Sequence, residues 1–128
     1  MNSLNFAAVM NACLLFSTST EIVRVPSEAV VFIAADGNYS VITMADGGEY
    51  VLTMQLGQIE RHIAEPGKEH GGRFVRIGKS LIVNWDFISF INPARQKLIL
   101  SDGRTFRREL SASREALKAL KGLMETEV

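Results

Sequence analysis

The sequence predicts a mostly β domain with a small contribution from helices. Short runs rich in Val, Ile and Phe recur along the chain, and turn signals such as Asp36-Gly37-Asn38 and Asp102-Gly103 separate them. Only two segments carry a helical period, one near the middle and one at the C-terminal end. With 128 residues, of which 47% are hydrophobic, the chain can bury one core without disulfides or metal, and we expect a single domain.

The predicted strands begin at residue 22 and continue to residue 108. Pro26 ends the first of them, and Ala45-Asp46-Gly47-Gly48 joins two others as a hairpin. Near the end of the β region, Asn92-Pro93 separates two further strands. The nine predicted strands cover residues 22–25, 29–34, 39–44, 49–53, 73–77, 81–84, 87–91, 97–100 and 104–108.

Two amphipathic helices are predicted from the spacing of apolar residues. The first covers residues 54–64 and ends before Pro66, and the second follows the N-cap candidates Ser111 and Ser113. Their apolar faces consist of Met54, Leu56, Ile59 and Ile63 in the first helix and of Leu117, Leu120 and Met124 in the second.

Residues 1–20 form an apolar leader ahead of the main domain, which we place at residues 21–128. The leader is shorter than the run of about 20 apolar residues that a membrane-spanning helix needs, so no membrane insertion is expected. A secretion signal usually begins with a positive charge, but no Lys or Arg precedes Arg24. We therefore expect a short N-terminal helix that covers an apolar patch or a second subunit.

The sequence offers little for catalysis or metal binding. Cys13 is the only cysteine, which excludes an intrachain disulfide and a thiolate zinc site, fits a reducing cytoplasm and suggests a small buried side chain. His62 and His70 lie on a predicted helix and in a Gly-rich loop, an unfavourable arrangement for a metal pair. No nucleophile motif or phosphate-binding Gly-rich loop occurs. We predict no enzyme activity, no catalytic residue, no metal site and no cofactor.

Charge is distributed unevenly although the formal net charge is zero. Residues 1–72 contain three Lys or Arg against eight Asp or Glu, whereas residues 73–128 contain eleven against six. The first part therefore carries minus five and the second plus five. Such a division within one domain indicates a basic surface built mainly from the second half, unless solvated charges merely segregate by chance.

The segment from Phe74 to Asn84 joins two apolar strands through the small, polar bend Gly78-Lys79-Ser80. Backbone amides, a lysine and a hydroxyl can all point outward from such a bend and reach a phosphate. The simpler interpretation is an ordinary hairpin with a solvated lysine. At the end of the segment, Asn84 and Trp85 look structural, Asn84 closing it by local hydrogen bonding and Trp85 filling a core edge or an interface.

This segment resembles the central motif of LytTR DNA-binding domains, which runs approximately F-V-R-hydrophobic-H-R-S-hydrophobic-hydrophobic-V-N. The residues that agree with the motif are Phe74, Val75, Arg76, Ser80, Val83 and Asn84. Gly78 stands where the family usually has histidine, and Lys79 where it usually has arginine. The resemblance continues in order through the upstream strand, its turn, the strand pair, the short helix and the final hairpin, and spans roughly residues 22–124.

Resemblance to this family implies a small antiparallel β-sandwich with a short internal helix and a C-terminal helix, whose loops enter the grooves of duplex DNA. The first such loop contains Asn38 and Tyr39 and extends to Ser40. Asparagine can pair with adenine and tyrosine can contact phosphate, although Asn38 can equally cap the turn. The second region is Arg76 to Ser80. Lys79 aligns with a position that contacts a base or phosphate, and Ser80 can donate to a phosphate oxygen.

A third region lies between the last hairpin and the C-terminal helix, where the family commonly has a hydrophobic-Ser-Arg sequence. Ser113-Arg114 matches this pattern, whereas Arg107 and Arg108 match the distance from Asp102-Gly103. Strand alternation would send only one of Arg107 and Arg108 to a given face. All three arginines remain candidates, with Arg114 and Arg108 preferred, and each can also be a solvated charge.

The resemblance implies a cytoplasmic, bacterial-type transcription regulator that binds double-stranded DNA at specific sequences. No receiver or sensor domain is expected within 128 residues, so control is assigned to expression level, to a homodimer formed through residues 4–16, or to a separately encoded regulatory protein. The competing interpretation is a non-enzymatic adaptor, a β module whose apolar leader and exposed strands recruit another protein.

Overall fold

The structure is a computed structural model that describes residues 13–65 and 73–127. Within these ranges the chain forms ten β-strands, two α-helices and two 3-10 turns, at Ser27–Ala29 and Trp85–Phe87. The strands are β1 (Cys13–Ser17), β2 (Ile22–Pro26), β3 (Val30–Asp36), β4 (Tyr39–Met44), β5 (Glu49–Leu52), β6 (Phe74–Ile77), β7 (Leu81–Asn84), β8 (Ile88–Asn92), β9 (Lys97–Ser101) and β10 (Arg107–Ser111). The helices are α1 (Leu56–Ile63) and α2 (Arg114–Glu125).

The strands form three antiparallel sheets. The central sheet has five strands in the order β5-β4-β3-β7-β6, the second has the order β10-β9-β8, and β1 and β2 form a separate hairpin. Residue pairing between β3 and β7 joins Phe32 to Val83 and Ala34 to Leu81. This pairing places the β3–β4 turn and the β6–β7 bend at the same end of the central sheet.

One face of the central sheet is covered by α1 and the β1–β2 hairpin. Strand β1 alternates, so that Leu14 and Phe16 are buried while Leu15 and Ser17 face outward. The buried side chains of the hairpin and α1 pack on Ile33, Ile42, Leu52 and Ile82 of the sheet. Full burial of one such side chain contributes about 1.5–3 kcal/mol, so this layer is an integral part of the core.

The other face is covered by the three-stranded sheet and α2. Leu98 and Leu100 of β9, together with Leu117 and Leu120 of α2, pack against Val83 and its neighbours on the central sheet. Helix α2 begins at the N-cap Ser113, whose Oγ accepts a hydrogen bond from the backbone N–H of Ala116 at 3.1 Å. The capping residue predicted from the sequence is therefore confirmed at Ser113.

The predicted fold class is confirmed: the domain is mostly β, its sheets are antiparallel and layered, and its helices are internal and C-terminal. Eight of the nine predicted strands lie within two residues of observed strands, as does the internal helix. No helix in the described part of the chain is long and apolar enough to cross a membrane.

Two predicted elements are wrong. The N-terminal helix expected in the leader does not extend over residues 13–17, which form β1 and pair with β2; residues 1–12 of the leader lie outside the described residues. Cys13 in this strand is partly exposed rather than buried. The last strand was predicted at residues 104–108 but is Arg107–Ser111, because the Asp102 carboxylate holds the preceding residues in a turn.

Candidate nucleic-acid interface

The β6–β7 bend projects Lys79 and Ser80 into solvent. Gly78 opens the bend with φ +61°, a backbone conformation that favours glycine over residues with a Cβ. The carbonyl of Ser80 accepts a hydrogen bond from the Ala35 N–H at 2.9 Å, which ties the end of the bend to β3. Both Lys79 and Ser80 are exposed, so their side chains are available to a ligand.

Arg76 lies behind the bend and is turned toward α1. Its guanidinium donates from Nε to the carbonyl of Gly78 at 3.1 Å and from Nη2 to the carbonyl of Lys79 at 3.0 Å. Its Nη1 forms an ion pair with Oε1 of Glu60 in α1 at 2.8 Å. Three acceptors therefore occupy the side chain, and 25% of it remains exposed.

The β3–β4 turn lies beside the bend. Asp36 pairs with Tyr39 across the turn, and Asn38 and Tyr39 are exposed, Tyr39 by 49%. The next residue, Ser40, is fully buried, and its hydroxyl donates to the carbonyl of Met54 at 2.7 Å. The exposed part of this loop is therefore limited to the turn and Tyr39.

The N-terminus of α2 approaches the bend from the other side. A Cβ placed on Gly78 would lie 3.7 Å from the Cβ of Ala116, in the first turn of α2. Arg114, the first residue of the helix, is exposed and lies two residues before this contact. The structure thus brings Arg114 to the same end of the molecule as Lys79.

We call five exposed residues of these three regions, chosen because they can donate hydrogen bonds to DNA, the loop cluster: Asn38, Tyr39, Lys79, Ser80 and Arg114. Within the described chain, neither Lys79 nor Arg114 takes part in an ion pair. The N-terminus of α2 adds unpaired backbone N–H groups and the positive end of the helix dipole. The loop cluster therefore presents two cations that form no ion pair among the described residues, together with hydrogen-bond donors, and these groups suit phosphate oxygens and base edges. The exposed carboxylates of Asp36 and Glu115 lie in the same regions.

Arg107 and Arg108 lie apart from the loop cluster and on opposite faces of β10. Arg108 places its guanidinium 6.0 Å from the ring centroid of Phe32, on the face turned toward the central sheet. Arg107 shares the outer face with Glu109, whose pKa is lowered by a hydrogen bond from Lys97 and by the positive charges of Lys97 and Arg107. The strand starts from the opposite end of the sandwich, where Phe106 packs edge-on against Phe87.

The sequence did not indicate two features of this site. Nothing in the sequence spacing joins Glu60 of α1 to Arg76, which lies sixteen residues later. The approach of α2 to Gly78 is also a tertiary contact without a local signal, although the small residues Gly78 and Ala116 permit it. No group of His, Cys, Asp and Glu that could hold a metal occurs among residues 13–65 and 73–127.

Comparison with known proteins identifies the family. The sequence model of the LytTr DNA-binding domain matches residues 20–125. The fold is similar to a solved structure, the LytTr DNA-binding domain of a Bacillus cereus protein described as a methyl-accepting/DNA response regulator, with a TM-score of 0.59 and 18% sequence identity. That match covers 88% of this chain and 96% of the other. No protein of curated function gives a significant match. The chain belongs to the LytTR family of DNA-binding domains.

Proposed function

We propose that this protein is a transcription regulator that binds duplex DNA at specific sequences through the loop cluster. The observation that carries the proposal is the convergence of the β3–β4 turn, the β6–β7 bend and the N-terminus of α2 at one end of a LytTR domain. This family is a family of DNA-binding domains and not of enzymes, and the proposal requires no catalytic step. A role on DNA agrees with the expectation of a cytoplasmic protein.

Each member of the loop cluster has a role that follows from its chemistry. Lys79 is a mobile point charge suited to a phosphate or a guanine edge, and the Ser80 hydroxyl can donate to a neighbouring phosphate. Arg114 has the planar fork needed for a bidentate contact with guanine. Asn38 can pair with adenine, and Tyr39 can reach a phosphate from the adjacent turn.

Loops rather than a helix face are the proposed reading elements. Helix α2 uses Leu117 and Leu120 to pack on the central sheet, so its first turn, and not its length, lies beside the bend. Helix α1 lies on the opposite face of that sheet. A recognition helix would present several turns to the major groove, whereas the first turn of α2 is the part that meets the β6–β7 bend.

The direct test is selection from a random pool of duplex DNA, followed by titration of the enriched and the random duplexes. We expect one enriched sequence that binds at least about 1,000-fold more tightly than random DNA at physiological salt. Membership of the LytTR family is the reason to expect binding. The triple variant Lys79→Ala, Ser80→Ala, Arg114→Ala is the matched control, because it removes three side chains of the loop cluster. Failure to enrich any sequence with the folded wild-type protein would contradict specific recognition.

A protein-interaction role is the second candidate, and the β1–β2 hairpin favours it. Leu15 is 44% exposed and Ile22 is 70% exposed, both on the outward face of the hairpin. This apolar surface could recruit another protein, including a separately encoded regulatory protein. Binding of DNA that cannot be detected at low salt, or that does not depend on salt, would favour this adaptor role over the DNA-binding role.

A homodimer is proposed through the leader, including residues 4–16. Removing residues 1–20 would also remove Leu14 and Phe16 from the core, so the better truncation removes residues 1–12 and keeps the hairpin. We expect the truncated protein to contain fewer subunits per particle than the intact protein, as measured by its molar mass in solution. An unchanged subunit number would contradict self-association through residues 1–12.

A further inference from the structure

We propose that Arg76 is a positioning residue that braces the β6–β7 bend from α1, and that Glu60, an acidic residue, thereby strengthens DNA binding. The inference rests on the proposed DNA-binding role and extends it. Sequence similarity alone places Arg76 among residues that could touch DNA. The contacts of its side chain instead assign it to the protein side of the bend.

The hydrogen bonds of Arg76 define one shape for the bend. Nε and Nη2 bind two successive carbonyls, of Gly78 and Lys79, so both peptide groups are held with their oxygens toward Arg76. Turning carbonyl oxygens inward keeps their negative partial charges away from an approaching phosphate. Lys79 therefore starts from an ordered backbone, which lowers the entropy lost when it binds.

Glu60 fixes the guanidinium in this position. Arg76 pairs with Ile82 in the sheet and lies on the face covered by α1, where the Glu60 carboxylate receives its Nη1 at 2.8 Å. The five donors of arginine form a rigid fork that can serve these three acceptors at once, whereas a lysine ammonium on a flexible stem cannot reproduce the fork. The ion pair thus joins α1, on one face of the central sheet, to the bend.

Removal of Glu60 is expected to weaken DNA binding, which is the opposite of the usual effect of removing an acidic residue. In general, removal of a carboxylate from a DNA-binding protein strengthens binding, because phosphate repulsion decreases. Glu60→Ala should instead weaken binding to the selected duplex by roughly tenfold, the size expected for loss of a charged hydrogen bond. Glu65→Ala is the matched control, since it removes a carboxylate just beyond the end of α1 that pairs with His62 and not with Arg76.

Conservative replacement separates bracing from direct contact. Arg76→Lys keeps the charge but loses the fork, so we expect it to weaken binding about as much as Arg76→Met does. Arg73→Met is the control for charge loss on the same sheet edge, because Arg73 pairs with Asp86 rather than with the bend. If Arg76 contacts phosphate directly, Arg76→Lys will retain most of the affinity, and the bracing role is wrong.

A double variant tests whether Arg76 acts through the bend. In a Lys79→Ala background, Arg76→Lys should cost much less than it does in the wild-type protein, because the side chain that it positions is already absent. Additive losses would contradict the proposal. All affinities are measured well below the midpoint of thermal unfolding; a variant that lowers only this midpoint and keeps its affinity would show a merely stabilising role and also contradict it.

A measurement without DNA distinguishes failure of this inference from failure of the proposed function. Backbone order parameters from ¹⁵N relaxation at Lys79 and Ser80 should fall in Arg76→Lys and Glu60→Ala, and stay at the wild-type level in Arg73→Met and Glu65→Ala. Equal order in all the proteins would overturn the bracing role. If the wild-type protein binds no duplex, the proposed DNA-binding function is wrong. The order parameters then still decide whether Arg76 braces the bend.

Discussion

Individual basic residues of this domain are expected to contribute to DNA binding in different ways. Lys79, a point charge on a flexible stem, suits a phosphate contact, so Lys79→Ala should weaken specific and random duplexes by similar factors. The dependence of log affinity on log salt should become flatter by about one unit, as for one lost phosphate contact. Competition titrations at several salt concentrations measure both quantities.

Arg114 is expected to discriminate between bases. Arg114→Ala should cost about 1–3 kcal/mol on the selected duplex and much less on random DNA. Arg107→Ala and Arg108→Ala are the matched controls, since Arg107 faces outward beside Glu109 and Arg108 lies over Phe32. If Arg108→Ala loses more affinity for the selected duplex than Arg114→Ala does, the DNA interface lies on β10 and not at the loop cluster.

Asn84 illustrates a residue of the motif that serves the fold. Its side chain is fully buried, donates to the carbonyl of Val30 at 2.9 Å and accepts from the N–H of Asp86 at 3.0 Å. Asn84→Leu should lower the free energy of unfolding by about 1–3 kcal/mol, because buried backbone groups lose their partners. Urea unfolding measures this change. A variant as stable as the wild-type protein would contradict the structural role expected from the sequence.

At the scale of single elements, the β9–β10 turn depends on Asp102. The Thr105 hydroxyl and the backbone N–H groups of Arg104, Thr105 and Phe106 all donate to this carboxylate and hold its pKa well below its ordinary range. A carboxylate whose pKa is lower in the folded state stabilises the fold fully above its unfolded pKa of about 3.9. This stabilisation is lost as the pH falls below that value.

The turn therefore predicts a pH-dependent difference between two proteins. Asp102→Asn removes the titrating group, so its melting temperature should lie below that of the wild-type protein at pH 7, and the difference should shrink toward pH 3. Other carboxylates, including Glu109, titrate in both proteins and cancel in the comparison. Thermal unfolding followed by circular dichroism at several pH values checks this, and a difference independent of pH would exclude the charged turn as its cause.

Strand β1 gives a second prediction at this scale. Phe16 is 1% exposed and its ring centroid lies 5.1 Å from that of His62 in α1, so Phe16→Ala should cost about 3–5 kcal/mol of unfolding free energy. Leu15→Ala, on the exposed face of the same strand, should change stability by about 0.5 kcal/mol or less. Similar losses at both positions, measured by urea unfolding, would contradict the alternation of a strand.

The elements that were predictable from the sequence are those with local signals. Gly47 and Gly48 mark the β4–β5 turn, and Ile59 and Ile63 mark one face of α1. The apolar run at Cys13–Ser17 fits a helix or a strand equally well, and only its pairing with β2 decides for the strand. The displaced start of β10 reflects four hydrogen bonds to one carboxylate, which propensity does not reveal.

At the scale of the whole molecule, the order of the loops along the chain was predictable from the sequence, but their proximity in space was not. The motif gave Lys79 and Ser80, and the Ser-Arg pattern gave Arg114, but their proximity depends on how α2 packs over the central sheet. The same packing separates Arg107 and Arg108 from Arg114, although the sequence kept all three as candidates and preferred Arg108 together with Arg114. The bracing of the bend by Glu60 crosses from α1 to β6 and has no counterpart in sequence spacing.

The acidic and basic halves of the chain form different parts of the fold. The basic second half supplies the edge strand β6, the β6–β7 bend, the three-stranded sheet and α2, whereas the acidic first half supplies α1, the hairpin and the far edge of the central sheet. Several cations of the basic half are neutralised by neighbouring carboxylates, as Arg73 is by Asp86 and Lys97 by Glu109. The local potential therefore depends on cations without such partners, among them Lys79 and Arg114.

The central claim, that the loop cluster binds duplex DNA electrostatically and specifically, is tested most directly by the salt dependence of binding to the selected and the random duplexes. We expect log affinity to fall linearly with log salt for both duplexes, because bound phosphates release counterions. We also expect the selected duplex to remain the tighter ligand throughout the series. Binding that is absent at low salt, or an affinity indifferent to salt, would contradict DNA binding by this domain.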